Sequence, residues 1–156
     1  MCMQVYERAG LTIAGLATRT TNQAEADPRT GLIGPLYQRF FGENISQQLA
    51  NADLTSRYGV YTNYASDHQG EYDLIVGHAV SSDQPQPDGL IQITIPAQRY
   101  LRWQGTIAQP SDVIGMWMHI WEYFSQPQLY QRSYTADFEY YDFAQPDQAE
   151  IWIAIQ

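Results

Sequence analysis

The 156-residue chain contains no lysine. Its eight basic residues are all arginines, scattered from Arg8 to Arg132, and they face seventeen acidic residues, for a net charge of −9. Binding to nucleic acid needs a basic face that neutralises phosphates. That face is missing, so direct contact with DNA or RNA is not expected. The acidic balance favours a cationic small molecule or a basic protein partner, and it equally serves plain solubility. Cysteine is almost absent as well. Cys2 stands alone, which excludes an internal disulfide, and its place beside the N-terminus argues against a buried catalytic nucleophile. No apolar run is long enough to span a bilayer. The opening "MCMQVYERAG" has no basic segment leading into an apolar stretch, so no signal peptide is read. The expectation is one soluble, cytoplasmic domain over residues 1–156.

Several chemistries are missing too. There is no nucleophile elbow, no phosphate-cradling glycine loop and no evident Cys-His pairing. His68, His78 and His119 fit none of the zinc spacings. His68 lies among acidic loop residues of a kind usually solvated, and no metal or other cofactor is expected. What the chain does have is aromatic rings: twelve Tyr and four Trp in a composition 44% hydrophobic. Tyr and Trp combine apolar area with a polar tip, which suits the wall of a ligand pocket and suits an ordinary core equally well.

The order of elements repeats. "MQVYERAGLTIAGLATRT" reads as a long strand bent at Gly10, and "NQAEADPRTG" as a loop. "LIGPLYQRFFGENISQQL" spaces Leu32, Leu36, Phe40, Ile45 and Leu49 at helical intervals. "RYGVYTNY" and "YDLIVGHAV" read as strands joined by a hairpin loop. The polar, proline-containing stretch "SSDQPQPDG" then serves as a linker, about 82–89. After it comes "LIQITIPAQRYLRWQG", a strand broken at Pro96, and "PSDVIGMWMHIWEYFS", a helix with Ser111 as N-cap candidate. "RSYTADFEYYDF" and "EIWIAI" close the chain as strands. Both halves, about 1–81 and 90–156, therefore read β-α-β-β. "LYQRFF" lies over "IWEYFS", and "YGVYTNY" over "YTADFEY", which sets Asn63 opposite Glu139. The predicted fold is α+β: a tandem pseudo-twofold β-α-β-β repeat forming a cupped antiparallel sheet with two helices on one side. The groove between repeated units is the natural place for a ligand.

One stretch, "YTADFEYYDF", poses a physical question. Strand alternation puts Asp137, Glu139 and Tyr141 on one face and Tyr134, Ala136, Phe138 and Tyr140 on the other. A carboxylate withdrawn from water among rings is costly unless its charge is answered. An arginine such as Arg57 or Arg132 could answer it on an exposed strand, and a cationic ligand could answer it in a pocket.

The ordered set "IAGLATRTTN", "LYQRF", "YGVYTNYASDHQGEYDLIVG", "IPAQRYLRW", "IWEYF", "YTADFEYY" and "EIWIAI" spans nearly the whole chain. It resembles the GyrI-like effector-binding domain, found alone and at the C-terminus of AraC-type and MerR-type multidrug regulators, and is similar above all to stand-alone members, including cationic-drug binders carried on integron cassettes. The resemblance implies two β-α-β-β modules in a cupped sheet and binding of amphipathic, often cationic, small molecules. It implies that Glu139 meets the ligand's positive charge, with Tyr61 and Tyr64 as strand aromatics and Trp117 and Trp121 as helix aromatics. Strand alternation and the repeat add Asn63 and Tyr141 to the candidate site, with Asp137 as an auxiliary charge. At this length no helix-turn-helix is expected to precede the domain. Two other readings stay open. One is a protein-interaction module for a basic partner such as a topoisomerase or a regulator. The other is a small-molecule hydrolase that uses Glu139 as base or nucleophile.

Overall fold

Two long strands, each broken near its middle, organise the molecule. The computed structural model describes residues 4–81 and 83–156; Cys2, and Ser82 of the expected linker, lie outside them. The first long strand divides into β1 (Val5–Arg8) and β2 (Leu11–Thr20), the second into β5 (Ile91–Ile95) and β6 (Gln98–Thr106). The breaks fall at Gly10 and Pro96, as the sequence predicts. The two strands run antiparallel past each other in one register, with Arg8 opposite Gln98 before the breaks and Leu11 opposite Ile95 after them. At the crossing a Cβ on residue 10 would stand 3.1 Å from the Ile95 carbonyl oxygen, so glycine eases the close approach.

The remaining strands are β3 (Ser56–Thr62), β4 (Tyr72–Ala79), β7 (Ala136–Asp142) and β8 (Gln148–Ile155). All pairing is antiparallel, in the order β1-β6-β8-β7-β3-β4-β2-β5. Exchanging the halves reproduces this order, as a pseudo-twofold through the β3–β7 seam requires. Each half lends its opening strand to the other: β1 pairs with β6, and β5 with β2. All eight strands contribute to one apolar cluster that includes Ile13, Val60, Ile75, Ile95, Tyr100, Phe138 and Trp152, with Tyr6 packed against it. A flat eight-stranded sheet would span roughly 35 Å at about 4.8 Å per strand. The sheet therefore curls until this face closes on itself.

The helices pack on the opposite face. The sequence reading expects two, and the described residues form four. The stretch read as a loop opens with α1 (Asn22–Glu25), whose Ala24 N–H is capped by the Thr21 hydroxyl at 3.0 Å. The predicted first helix is α2 (Ile33–Gly42) followed by a separate α3 (Ile45–Gln48), because Asn44 turns the chain left-handed at φ 52°. The second long helix is α4 (Ser111–Ser125). Ser111 makes no capping bond; Asp112 instead accepts from Ala108 and Gln109 N–H in the preceding turn. Leu36 and Phe40 of α2 bury against Leu16, Leu74 and Val76, and Trp117 and Ile120 of α4 against Ile151 and Ile153. Both helices thus sit over the same face, a cleft apart.

Two buried polar groups pin this frame. His78, 2% exposed, lies between the Ser56 carbonyl (2.6 Å from Nδ1) and the Ser46 hydroxyl (2.7 Å from Nε2), which suits a neutral ring donating to one and accepting from the other. Asp137 is fully buried. Its Oδ2 accepts from the Arg132 guanidinium at 2.7 Å and the Tyr64 hydroxyl at 2.6 Å, and its Oδ1 from the Ala154 N–H at 2.8 Å. The pair ties the segment before β7 to β8.

Burial holds the His78 pKa below the ordinary imidazole value. The unfolded chain takes up a proton that the folded one refuses, so stability is full above about pH 6.5 and falls as the pH drops below it. The Tm should decline between pH 7 and pH 5, and His78→Gln should flatten that decline. Asp137→Asn leaves Arg132 buried without a counter-charge. Urea unfolding should show a loss of about 3–5 kcal/mol.

Candidate functional site

The cleft between α2 and α4 is floored by β3 and β7 and forms a cavity of about 1190 Å³. Its walls are mostly rings and aliphatic side chains, among them Tyr37 and Phe41 from α2, Tyr61 from β3, and Val113, Trp117 and Trp121 from α4. The volume is somewhat above the roughly 300–1,000 Å³ that small-molecule sites usually occupy, so a bulky ligand would fit.

At its floor sits Glu139, 4% exposed. The β3–β7 ladder runs from Ser56 opposite Asp142 to Thr62 opposite Ala136, and Glu139 occupies its middle pair, across from Gly59. Glycine offers no side chain to answer the charge. The answer comes from three neutral donors. Oε2 accepts from the Tyr61 hydroxyl and the Trp117 indole N–H, both at 2.7 Å, and Oε1 from the Tyr141 hydroxyl at 2.6 Å. Tyr61 and Tyr141 stand two residues beyond the central pair on their respective strands, in mirrored positions about the seam. Among the described residues no basic group lies within ion-pair distance of Glu139. A carboxylate has about four acceptor sites. Three are used, and the negative charge itself is unpaired.

The eight residues singled out in the sequence divide in three. Glu139, Tyr61, Trp117 and Tyr141 form one hydrogen-bonded group on the cavity floor. Trp121 and Tyr64 also line the cavity; the Trp121 ring lies 6.2 Å from Trp117, and the Tyr64 hydroxyl is directed to Asp137. Asn63 and Asp137 are not brought to it. Asn63 is exposed beyond the end of β3 with φ 51°, and its amide donates to Asp73. Its alignment with Glu139 fails because Gly59, not Asn63, stands opposite that carboxylate. Asp137 is not a free auxiliary charge, because Arg132 neutralises it inside the protein.

Sequence reasoning missed the contribution of α2. Tyr37 and Phe41 reach the cavity from that helix, and Tyr72 from β4. The repeat carried part of this signal, since laying "LYQRFF" over "IWEYFS" sets Tyr37 opposite Trp121. The start of α2 is held by Glu25, which accepts from the Leu32 and Ile33 N–H groups at 2.8 and 3.1 Å and from the Thr20 hydroxyl.

The phenols of Tyr61 and Tyr141 are held above the usual phenol range by burial first and then by the Glu139 charge; Tyr64 is raised likewise, by burial and then by Asp137. They remain donors at any working pH. The folded protein keeps protons that the unfolded chain gives up near pH 10, so stability is complete below that value and lost above it. In an ultraviolet pH titration these three of the twelve tyrosines should ionise only with unfolding. A single wave near pH 10 with the fold intact would contradict the geometry.

Comparison with known proteins places this architecture. A Vibrio cholerae integron cassette protein, VCH_CASS2, superposes with a TM-score of 0.83 at 34% identity, covering 99% of this chain and 95% of that one. The structure of SAV2435 bound to tetraphenylphosphonium superposes with a TM-score of 0.73 at 22% identity, over 100% and 94% of the two chains, a likeness of fold. YobU of Bacillus subtilis (strain 168), whose name puts it with transcriptional regulators, is 28% identical over 149 residues, 92% of this chain and 91% of YobU. The family described as Cass2, integron-associated effector binding protein, matches residues 4–155, and the chain belongs to it.

Proposed function

We propose that the chain binds an amphipathic organic cation in the cleft between α2 and α4, with Glu139 facing the positive charge. The observation that carries this reading is the state of Glu139: almost wholly buried, hydrogen-bonded only by neutral groups, and free of any basic partner among the described residues. Apolar parts of a ligand would bury against the ring-lined walls at about 25 cal/mol per Å². Ring faces turned to a desolvated cation would add roughly 0.5–2 kcal/mol each. The fold neighbour SAV2435 binds tetraphenylphosphonium, a bulky apolar cation of this class. The chain would act in the cytoplasm as a receiver of cationic effectors, either sequestering them or reporting them to a regulatory partner. Among the described residues no helix is long and apolar enough to cross a membrane.

Trp117 and Trp121 on the cavity wall provide a built-in signal. Titration with tetraphenylphosphonium should quench Trp fluorescence saturably. Glu139→Gln keeps one oxygen for the Trp117 N–H and removes the charge. At about 5–8 Å and an effective dielectric near 20, that charge is worth roughly 2–3 kcal/mol to a monovalent cation. The variant should therefore bind about 30-fold to 160-fold more weakly. Equal affinity in the two proteins would remove the charge role.

A further inference from the structure

The same cavity contains a second unpaired charge, of the opposite sign. Arg57 lies on β3 two residues before Gly59, on the strand face that turns towards the cleft, and it lines the cavity. Its guanidinium sits among four rings: Tyr141 at 4.7 Å, Phe41 at 5.3 Å, Tyr37 at 5.7 Å and Phe143 at 5.9 Å from the ring centroids. Its Nε is buried and donates to nothing among the described residues. No carboxylate lies within ion-pair distance of it there. Besides Glu139, the acids on the cavity wall have other partners: Glu25 holds the start of α2, and Asp142 accepts from the Ala144 N–H. Arg132, the other guanidinium at the cavity wall, is neutralised by that pairing, whereas Arg57 is not.

Arg57 and Glu139 are diagonal neighbours across the β3–β7 ladder, because Arg57 is opposite Tyr141 and Glu139 is opposite Gly59. Such positions are about 7–8 Å apart. Tyr141 stands between the two charges, giving its hydroxyl to Glu139 and its ring face to Arg57. A site meant for a bare cation gains nothing from an unneutralised guanidinium on its wall, which repels the ligand. A guanidinium fixed by stacking offers a planar fork of N–H donors matched to a carboxylate.

We propose that the cleft recognises zwitterionic amphipaths, aromatic compounds carrying both a cationic group and a carboxylate, with Glu139 taking the cation and Arg57 the carboxylate. This deepens the cation-binding reading and rests on it for the Glu139 half.

The test compares two dyes that share one xanthene ring system: rhodamine 110, a zwitterionic free acid, and rhodamine 123, its cationic methyl ester. Affinities are read by fluorescence anisotropy on the intact protein. The wild type should prefer the acid. Arg57→Gln should weaken the acid about tenfold or more, the scale of a lost charged hydrogen bond, and leave the ester unchanged or bound more tightly. Arg57→Lys, which keeps the charge and loses the fork, should retain part of the preference, and it serves as the readout should Arg57→Gln fail to fold. A wild type that prefers the ester, or Arg57 variants that weaken both dyes equally, would overturn the proposal and leave the cation reading standing. Acid binding that survives Glu139→Gln but not Arg57→Gln would keep the arginine's role and sink the role of Glu139. If neither dye binds, both fail.

Discussion

The fold has taken one carboxylate out of water without discharging it. Glu139 is held by two phenols and an indole, all neutral, on the floor of a large apolar cavity. Hydrogen bonds of this kind are worth about 1.5–3 kcal/mol each when one partner is charged, which offsets much of the desolvation cost. They fix the carboxylate's position and leave its charge facing the cleft. Asp137, two residues earlier on the same strand face, shows the alternative. There a guanidinium completes the pair, and the result is a structural tie with no charge left over. Two acids in the same local sequence thus take opposite roles, set by which side chain reaches them.

The curled sheet makes this arrangement possible. Closure by the two crossing strands turns one face into a self-contained core and frees the other for helices. Because α2 and α4 each pack on their own half, a gap is left over the β3–β7 seam, and the seam's middle pair is Gly59 and Glu139. The two tyrosines flanking that pair are related by the internal repeat, so the duplication itself supplies matched donors on both sides of one acid. Only the second half carries the acid, so the site is asymmetric although the frame is not. The family's description as effector binding fits a cleft of this kind.

Much of this was legible in the sequence. The β-α-β-β repeat followed from the order of apolar periods and the kinks at Gly10 and Pro96. The inward face of "YTADFEYY" followed from strand alternation, and the resemblance to effector-binding domains singled out Glu139, Tyr61 and Trp117. What escaped were relations that depend on register and on long side chains. The overlay sets Asn63 opposite Glu139 because matching tyrosines puts the two strands four residues out of step with the ladder, in which Gly59 faces that carboxylate. Arg132 reaches Asp137 from just outside β7, and nothing in a linear reading separates that arginine from Arg57, which meets rings instead. The short helix α1 escaped because a helix of one turn has no apolar period to read, and α3 reads as a continuation of α2 because that period does not mark the left-handed turn at Asn44.

The exchange of opening strands has a consequence for synthesis of the chain. While only the first half has emerged from the ribosome, β2 lacks β5 at its edge and β1 has no partner at all. The seam cannot zip until β7 arrives, and β8, the last strand, must still dock between β6 and β7. A nascent polypeptide therefore cannot assemble the hollow over the seam until β7 and β8 have both been made, whatever has folded before them.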